Sequence, residues 1–89
     1  MARPQWMDVA EKADPELLHR SQEVRQFCMG EGALPARFKT LMGVFGDALL
    51  AHPAGVKALA NQAREQGASE QEIAEALRMA FMWGGLPAL

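Results

Sequence analysis

The sequence predicts an all-α fold, a small bundle of about four helices, and three observations lead to it. Apolar residues recur at helical spacing along most of the chain, and proline and glycine fall where helices would start and stop. No strand alternation, internal repeat or low-complexity segment interrupts that pattern.

Asp14-Pro15 offers an N-cap followed by proline at the first helical position, and Gly30 offers a stop, so residues 15–29 form the first predicted helix. Leu17, Leu18, Val24, Phe27 and Cys28 are expected on one packed face, with Arg20, Glu23 and Arg25 turned elsewhere. After the Gly30-Glu31-Gly32 turn, Pro35 opens a second helix running to about Ala51, carrying Phe38, Leu41, Met42, Phe45 and Leu49 at helical spacing. Gly43 and Gly46 lie close together on it, which fits tight helix packing or, alternatively, room for a ligand or a kink.

His52-Pro53 ends that helix, because a residue before proline avoids the α region, and Pro53 starts a third reaching Gln66 with Gly67 as its cap. Val56, Leu59, Ala60 and Ala63 make a narrow seam of mostly small residues, suited to close contact. Ser69 with Glu72 three residues on is a capping box and opens the fourth helix through Ile73, Ala74 and Leu77. Its second half, Met79 to Trp83, is apolar all round, so protein is expected to surround it, part of it from a partner subunit. Gly84-Gly85 stops the helix before a short tail.

A chain of 89 residues is expected to form one domain spanning 1–89. A domain this size buries roughly 60% of its unfolded surface. With 49% hydrophobic residues there is more apolar surface than such a core hides, which predicts self-association. The 9 basic and 11 acidic residues give a net charge of -2 and no like-charge run, which argues against nucleic acid as a partner. No apolar stretch reaches the ~18 residues of a membrane span, and the N-terminal segment has no signal-like apolar region, so no membrane partner and a cytoplasmic location are expected.

Cys28 is the single cysteine, so no disulfide or Cys-x-x-Cys pair can form within one chain. Between Phe27 and Met29 it reads as a buried, inert thiol; thiol chemistry between chains is the alternative. His19 reads as a solvated surface residue, and two histidines on different helices make no metal site, so neither metal nor cofactor is expected. Trp6 and Trp83 read as core or interface, with the wall of an apolar pocket as the other option.

From Leu34 to Leu89 the sequence resembles the carboxymuconolactone decarboxylase and alkylhydroperoxidase-D-like family. The residues that carry the resemblance are Gly67-Ala68-Ser69, then Glu72-Ile73-Ala74-Glu75-Ala76-Leu77, then Gly84-Gly85-Leu86-Pro87-Ala88-Leu89, and the first helix fits the Asp-Pro-Glu-Leu opening of such domains. The resemblance implies an alkylhydroperoxidase-D-like helical fold and a homo-oligomer, either a dimer or a hexameric ring, with sites near subunit contacts.

In the peroxidase-like branch, the resemblance further implies a Cys-x-x-Cys pair, a histidine four residues later and a glutamate on the preceding helix. One thiolate attacks, the second thiol resolves, and the carboxylate and imidazole relay the proton. Aligned from Gly67 without gaps, the cysteine positions fall on His52 and Gly55, the histidine on Leu59 and the glutamate on Thr40. Glycine and leucine do not titrate, threonine is no general base at neutral pH, and His52 forms no disulfide. The acidic and histidine groups that the decarboxylase branch places nearby are also missing at Gly55 and Leu59.

The expectation is therefore a catalytically degenerate or repurposed oligomer without the thiol peroxidase centre. The alternative is a non-redox acid-base enzyme of decarboxylase or lactone type. In that reading His52 is the catalytic base, an unperturbed imidazole titrates near ~6.5, and Lys39, Lys57 and Arg37 hold a substrate carboxylate. Thr40, Gly55 and Leu59 would complete its pocket, and a small-molecule ligand is a further partner this reading allows. Against it stands the plainer possibility that a histidine before proline caps the next helix.

Overall fold

The computed structural model describes residues 5–88, and its regular elements are helical: α1 (Gln5–Ala13), α2 (Pro15–Met29), α3 (Ala36–Leu49), α4 (Pro53–Glu65), α5 (Glu70–Gly84) and a 3-10 turn at Leu86–Ala88. The all-α prediction holds, with one helix more than the expected four. The additional one is α1, which has Asp8 in its first turn and Lys12 in its last, the charge order a helix dipole favours. By its internal contacts the chain divides into two compact units, residues 1–30 and 31–89.

In the first unit α1 packs against α2, and Asp14 caps α2 by accepting a hydrogen bond from the Leu17 N–H at 3.0 Å. Among its described residues only Leu18 is buried; Leu17, Val24 and Phe27 stay exposed, Phe27 at 87%. A pair of helices has one seam, and it covers one edge of the apolar stripe. Cys28 is exposed for the same reason, which corrects the expected buried thiol. His19 is solvated, with Nε2 3.3 Å from Glu23.

In the second unit α3 packs on both α4 and α5. Its core joins Val44 of α3, Leu59, Ala60 and Ala63 of α4, Ala68 of the connecting turn and Ile73 of α5. A second cluster of Ala48, Ala80 and Ala88 continues it toward the C-terminal turn. Alanine predominates, so the helices approach closely while burying modest area.

Two helix ends share one device. After α4, Ala68 N–H reaches back to Ala63 O at 2.9 Å and Gly67 N–H to Arg64 O at 3.0 Å, with Gly67 at φ +92°, a Schellman turn. After α3, His52 N–H bonds Asp47 O at 2.8 Å and Ala51 N–H bonds Ala48 O at 3.1 Å, the same turn with alanine at φ +58° in the position glycine favours. The α5 capping box forms as expected, Glu72 N–H to Ser69 Oγ at 3.1 Å and Ser69 N–H to Glu72 Oε1 at 2.8 Å.

Candidate functional site

The Schellman turn after α3 decides what stands beside His52. Its backbone bond joins residue 52 to residue 47, so the side chains at those positions become neighbours although five residues separate them. His52 Nδ1 lies 3.4 Å from Asp47 Oδ1, with the imidazole 62% exposed and the carboxylate 27%. His52 occupies the N-cap position of α4 without a side-chain capping bond, so the plain capping role is not the one it takes.

Asp47 also crosses the first turn of α4. A Cβ on Gly55 would collide with Asp47 Oδ2 and stand 2.7 Å from Asp47 Cγ, so the carboxylate rests where only glycine leaves room. This places a negative group near the N-terminus of α4, where unsatisfied amides favour it.

Four residues deeper on each helix, Gly43 faces Leu59; a Cβ on Gly43 would stand 2.8 Å from Leu59 Cδ1. The α3–α4 seam therefore runs antiparallel, from a solvated end at Asp47, His52 and Gly55 to an apolar level at Gly43 and Leu59. Gly43 thus serves close packing, while a Cβ on Gly46 would meet nothing within 4 Å.

Of the positions singled out from sequence, Thr40 is fully buried on α3 and its Oγ1 donates to Ala36 O at 3.0 Å. Leu59 is a core residue. Gly55 is half-buried beside Asp47, and of the four positions Thr40, His52, Gly55 and Leu59 only His52 offers a titratable group to solvent. Lys57 is exposed on α4. Arg37 and Lys39 lie at the N-terminal end of α3, away from the end that leads to His52, and Arg37 Nη2 lies 3.8 Å from Glu72 of α5. They do not join His52, because at ~1.5 Å per residue the helix sets Lys39 about 12 Å before Asp47 along its axis.

Among the described residues, no group of three or more His, Cys, Asp or Glu side chains could hold a metal ion. Likewise, no described helix is long and apolar enough to cross a membrane. An apolar groove on α5 is lined by Ala74, Leu77, Arg78 and Phe81, none of them a predicted site residue.

The family model for the carboxymuconolactone decarboxylase family matches residues 15–89. The chain belongs to the carboxymuconolactone decarboxylase family. No curated protein and no solved structure matches it. Within this carboxymuconolactone decarboxylase domain, the residue that sequence reasoning missed is Asp47. Its signal was an acid five residues before a histidine across a helix end, a spacing that becomes a contact only through a Schellman turn, and Ala51 in place of glycine concealed that turn.

Proposed function

We propose that this chain is a repurposed carboxymuconolactone decarboxylase family member that acts as a homo-oligomer in the cytoplasm and carries out no cysteine-pair peroxidase chemistry. The supporting observation is Leu59: the position aligned with the family histidine holds a core side chain packed against Gly43. An imidazole relay needs a titratable group open to the reacting thiol, and a leucine in an apolar cluster has neither property. Thr40, aligned with the glutamate, is equally enclosed and spends its hydroxyl on a backbone carbonyl.

The test is peroxide-dependent thiol oxidation by the purified chain beside a family member that retains the cysteine pair. Background rates are expected, and rates comparable to the intact relative would overturn the proposal.

A second reading is favoured by the Asp47–His52 contact. A carboxylate beside Nδ1 holds the imidazole with Nε2 free, and an exposed Nε2 can take a proton from a small cyclic or lactone-like substrate and return it later. Lys57 is the cation left on the same helix to hold a substrate carboxylate. Lactone turnover that disappears in His52→Ala and falls in Asp47→Asn would support it; full turnover in His52→Ala would end it.

A further inference from the structure

The Asp47 carboxylate is held at two points, and the second of them depends on Gly55. Oδ1 faces His52 Nδ1 at 3.4 Å, while Oδ2 and Cγ lie over the first turn of α4, in the space a side chain at residue 55 would take. The carboxylate is 27% exposed against 62% for the imidazole, so it is the more enclosed member of the pair. We propose that Gly55 is a positioning residue for His52. By leaving room for Asp47, it selects the form of the neutral imidazole that carries its hydrogen on Nδ1 and leaves Nε2 bare. The inference rests on the second, acid-base reading of the site and extends it to a residue outside the pair.

Sterics tie residue 55 to the imidazole. An ideal Cβ there would collide with Asp47 Oδ2 and stand 2.7 Å from Cγ and 3.3 Å from Oδ1. Were the oxygens alone in the way, a turn of the carboxyl group about χ2 would clear them. Cγ lies on the χ2 axis and is not moved by that turn, so χ1 must change to another rotamer. A new χ1 swings both oxygens, and Oδ1 leaves Nδ1. The backbone does not compensate, because His52 N–H stays bound to Asp47 O at 2.8 Å and holds the two residues in place.

The position of the hydrogen follows from the oxygen. An ionised carboxylate only accepts, so a neutral imidazole that bonds Asp47 through Nδ1 carries its hydrogen there. Unconstrained histidine side chains favour the other form, with hydrogen on Nε2. His19 has the opposite pairing, since its Nε2 lies 3.3 Å from Glu23 Oε1 and leaves Nδ1 as the bare nitrogen. At His52 the bare nitrogen is Nε2. A nitrogen without hydrogen cannot donate to a carbonyl oxygen, so the group it takes from a substrate is a proton donor, a hydroxyl or an acidic C–H. Asp47, His52 and Gly55 all belong to the second compact unit.

The experiment is long-range proton–nitrogen NMR on the nitrogen-15-labelled full chain at about pH 9, where free imidazole is neutral. It reads the ratio of Nδ1–H to Nε2–H at His52 in wild type, Gly55→Ala, Asp47→Ala and the double variant. His19→Gln assigns the two rings, and far-UV circular dichroism checks helicity. Wild-type His52 should hold the Nδ1–H form in at least about half of the molecules, and each variant should lower the ratio about threefold, the scale of one hydrogen bond of modest net strength. The double variant should fall no further than either single one, because both act through the same carboxylate. Asp47→Ala adds no Cβ at residue 55, so it keeps the test valid should Gly55→Ala fold poorly. Wild-type His52 mostly in the Nε2–H form overturns the inference. So does a wild-type ratio in folded Gly55→Ala or in Asp47→Ala. The ratio is read without substrate, so full lactone turnover in His52→Ala would end the acid-base reading and leave the role of Gly55 standing.

Discussion

A histidine placed at position 59 should strongly destabilise the domain. Leu59 is 8% exposed, in a cluster with Val44, Ala60, Ala63 and Ile73, none of which has a side chain able to pair with an imidazole nitrogen. Leu59→His gives up roughly 2 kcal/mol of apolar transfer and adds about 1–3 kcal/mol for a buried polar atom without a partner, some 3–5 kcal/mol together. Leu59→Ala should cost about 2–5 kcal/mol through the cavity it leaves. For a domain of this length each kcal/mol moves the midpoint by about 4–8 °C, so Leu59→His should melt at least ~12 °C lower. Thermal and urea unfolding followed by circular dichroism at one protein concentration is the assay, concentration being fixed because association stabilises by mass action. Leu59→His within ~1 kcal/mol of wild type would refute the assignment of this position to packing.

Ala51 holds a left-handed φ that costs a side chain about 1–2 kcal/mol, so Ala51→Gly should stabilise by roughly 0.5–1 kcal/mol in urea unfolding, after the greater freedom of unfolded glycine is discounted. Ser69→Ala should destabilise by ~1 kcal/mol, read the same way, because α5 loses the hydroxyl half of its capping box. Gly55→Ala must displace the Asp47 carboxylate, so it should be neutral or harmful in the wild type and gain up to ~1 kcal/mol of helix propensity in an Asp47→Ala background; additive effects in that cycle would refute the contact. Glu70, held by its hydrogen bond from Arg64, and Glu72, held by the Ser69 backbone N–H, have lowered pKa values. Their contribution is present above the unfolded carboxylate value of ~4.3 and is lost as pH falls through the folded values. The acid limb of a stability–pH profile should therefore flatten in Glu72→Gln, and an unchanged limb would contradict this.

How much of this was legible depended on which residues announce themselves. Proline at helix starts, glycine at 67 and 85, and the Ser69–Glu72 pair each act within one turn of the chain, so α2 to α5 could be bounded to within a residue or two. The first helix was not among those expected although Pro4 precedes it, and Cys28 is exposed rather than buried because a helical stripe shows which residues share a face but not how much of that face a neighbour covers. At the site, what the sequence offered was the identity of His52, Gly55, Leu59 and Thr40 as the positions to inspect. Their neighbour was not legible, since Asp47 reaches His52 and Gly55 only after two helices and the turn between them have formed.

That placement links the two positions aligned with the cysteine pair. Both border the same carboxylate: Asp47 Oδ1 faces the His52 imidazole, and Oδ2 fills the space a Cβ at residue 55 would need. A cysteine at 55 must expel Asp47 from the first turn of α4, and a cysteine at 52 would remove its nitrogen neighbour. It would also set a carboxylate beside the sulfur, where a negative charge opposes thiolate formation. A side chain at 55 and the Asp47 carboxylate thus compete for one place on the seam. The glycine at 55, which looks like a simple loss when aligned with a cysteine, is what allows the carboxylate its place at the helix N-terminus.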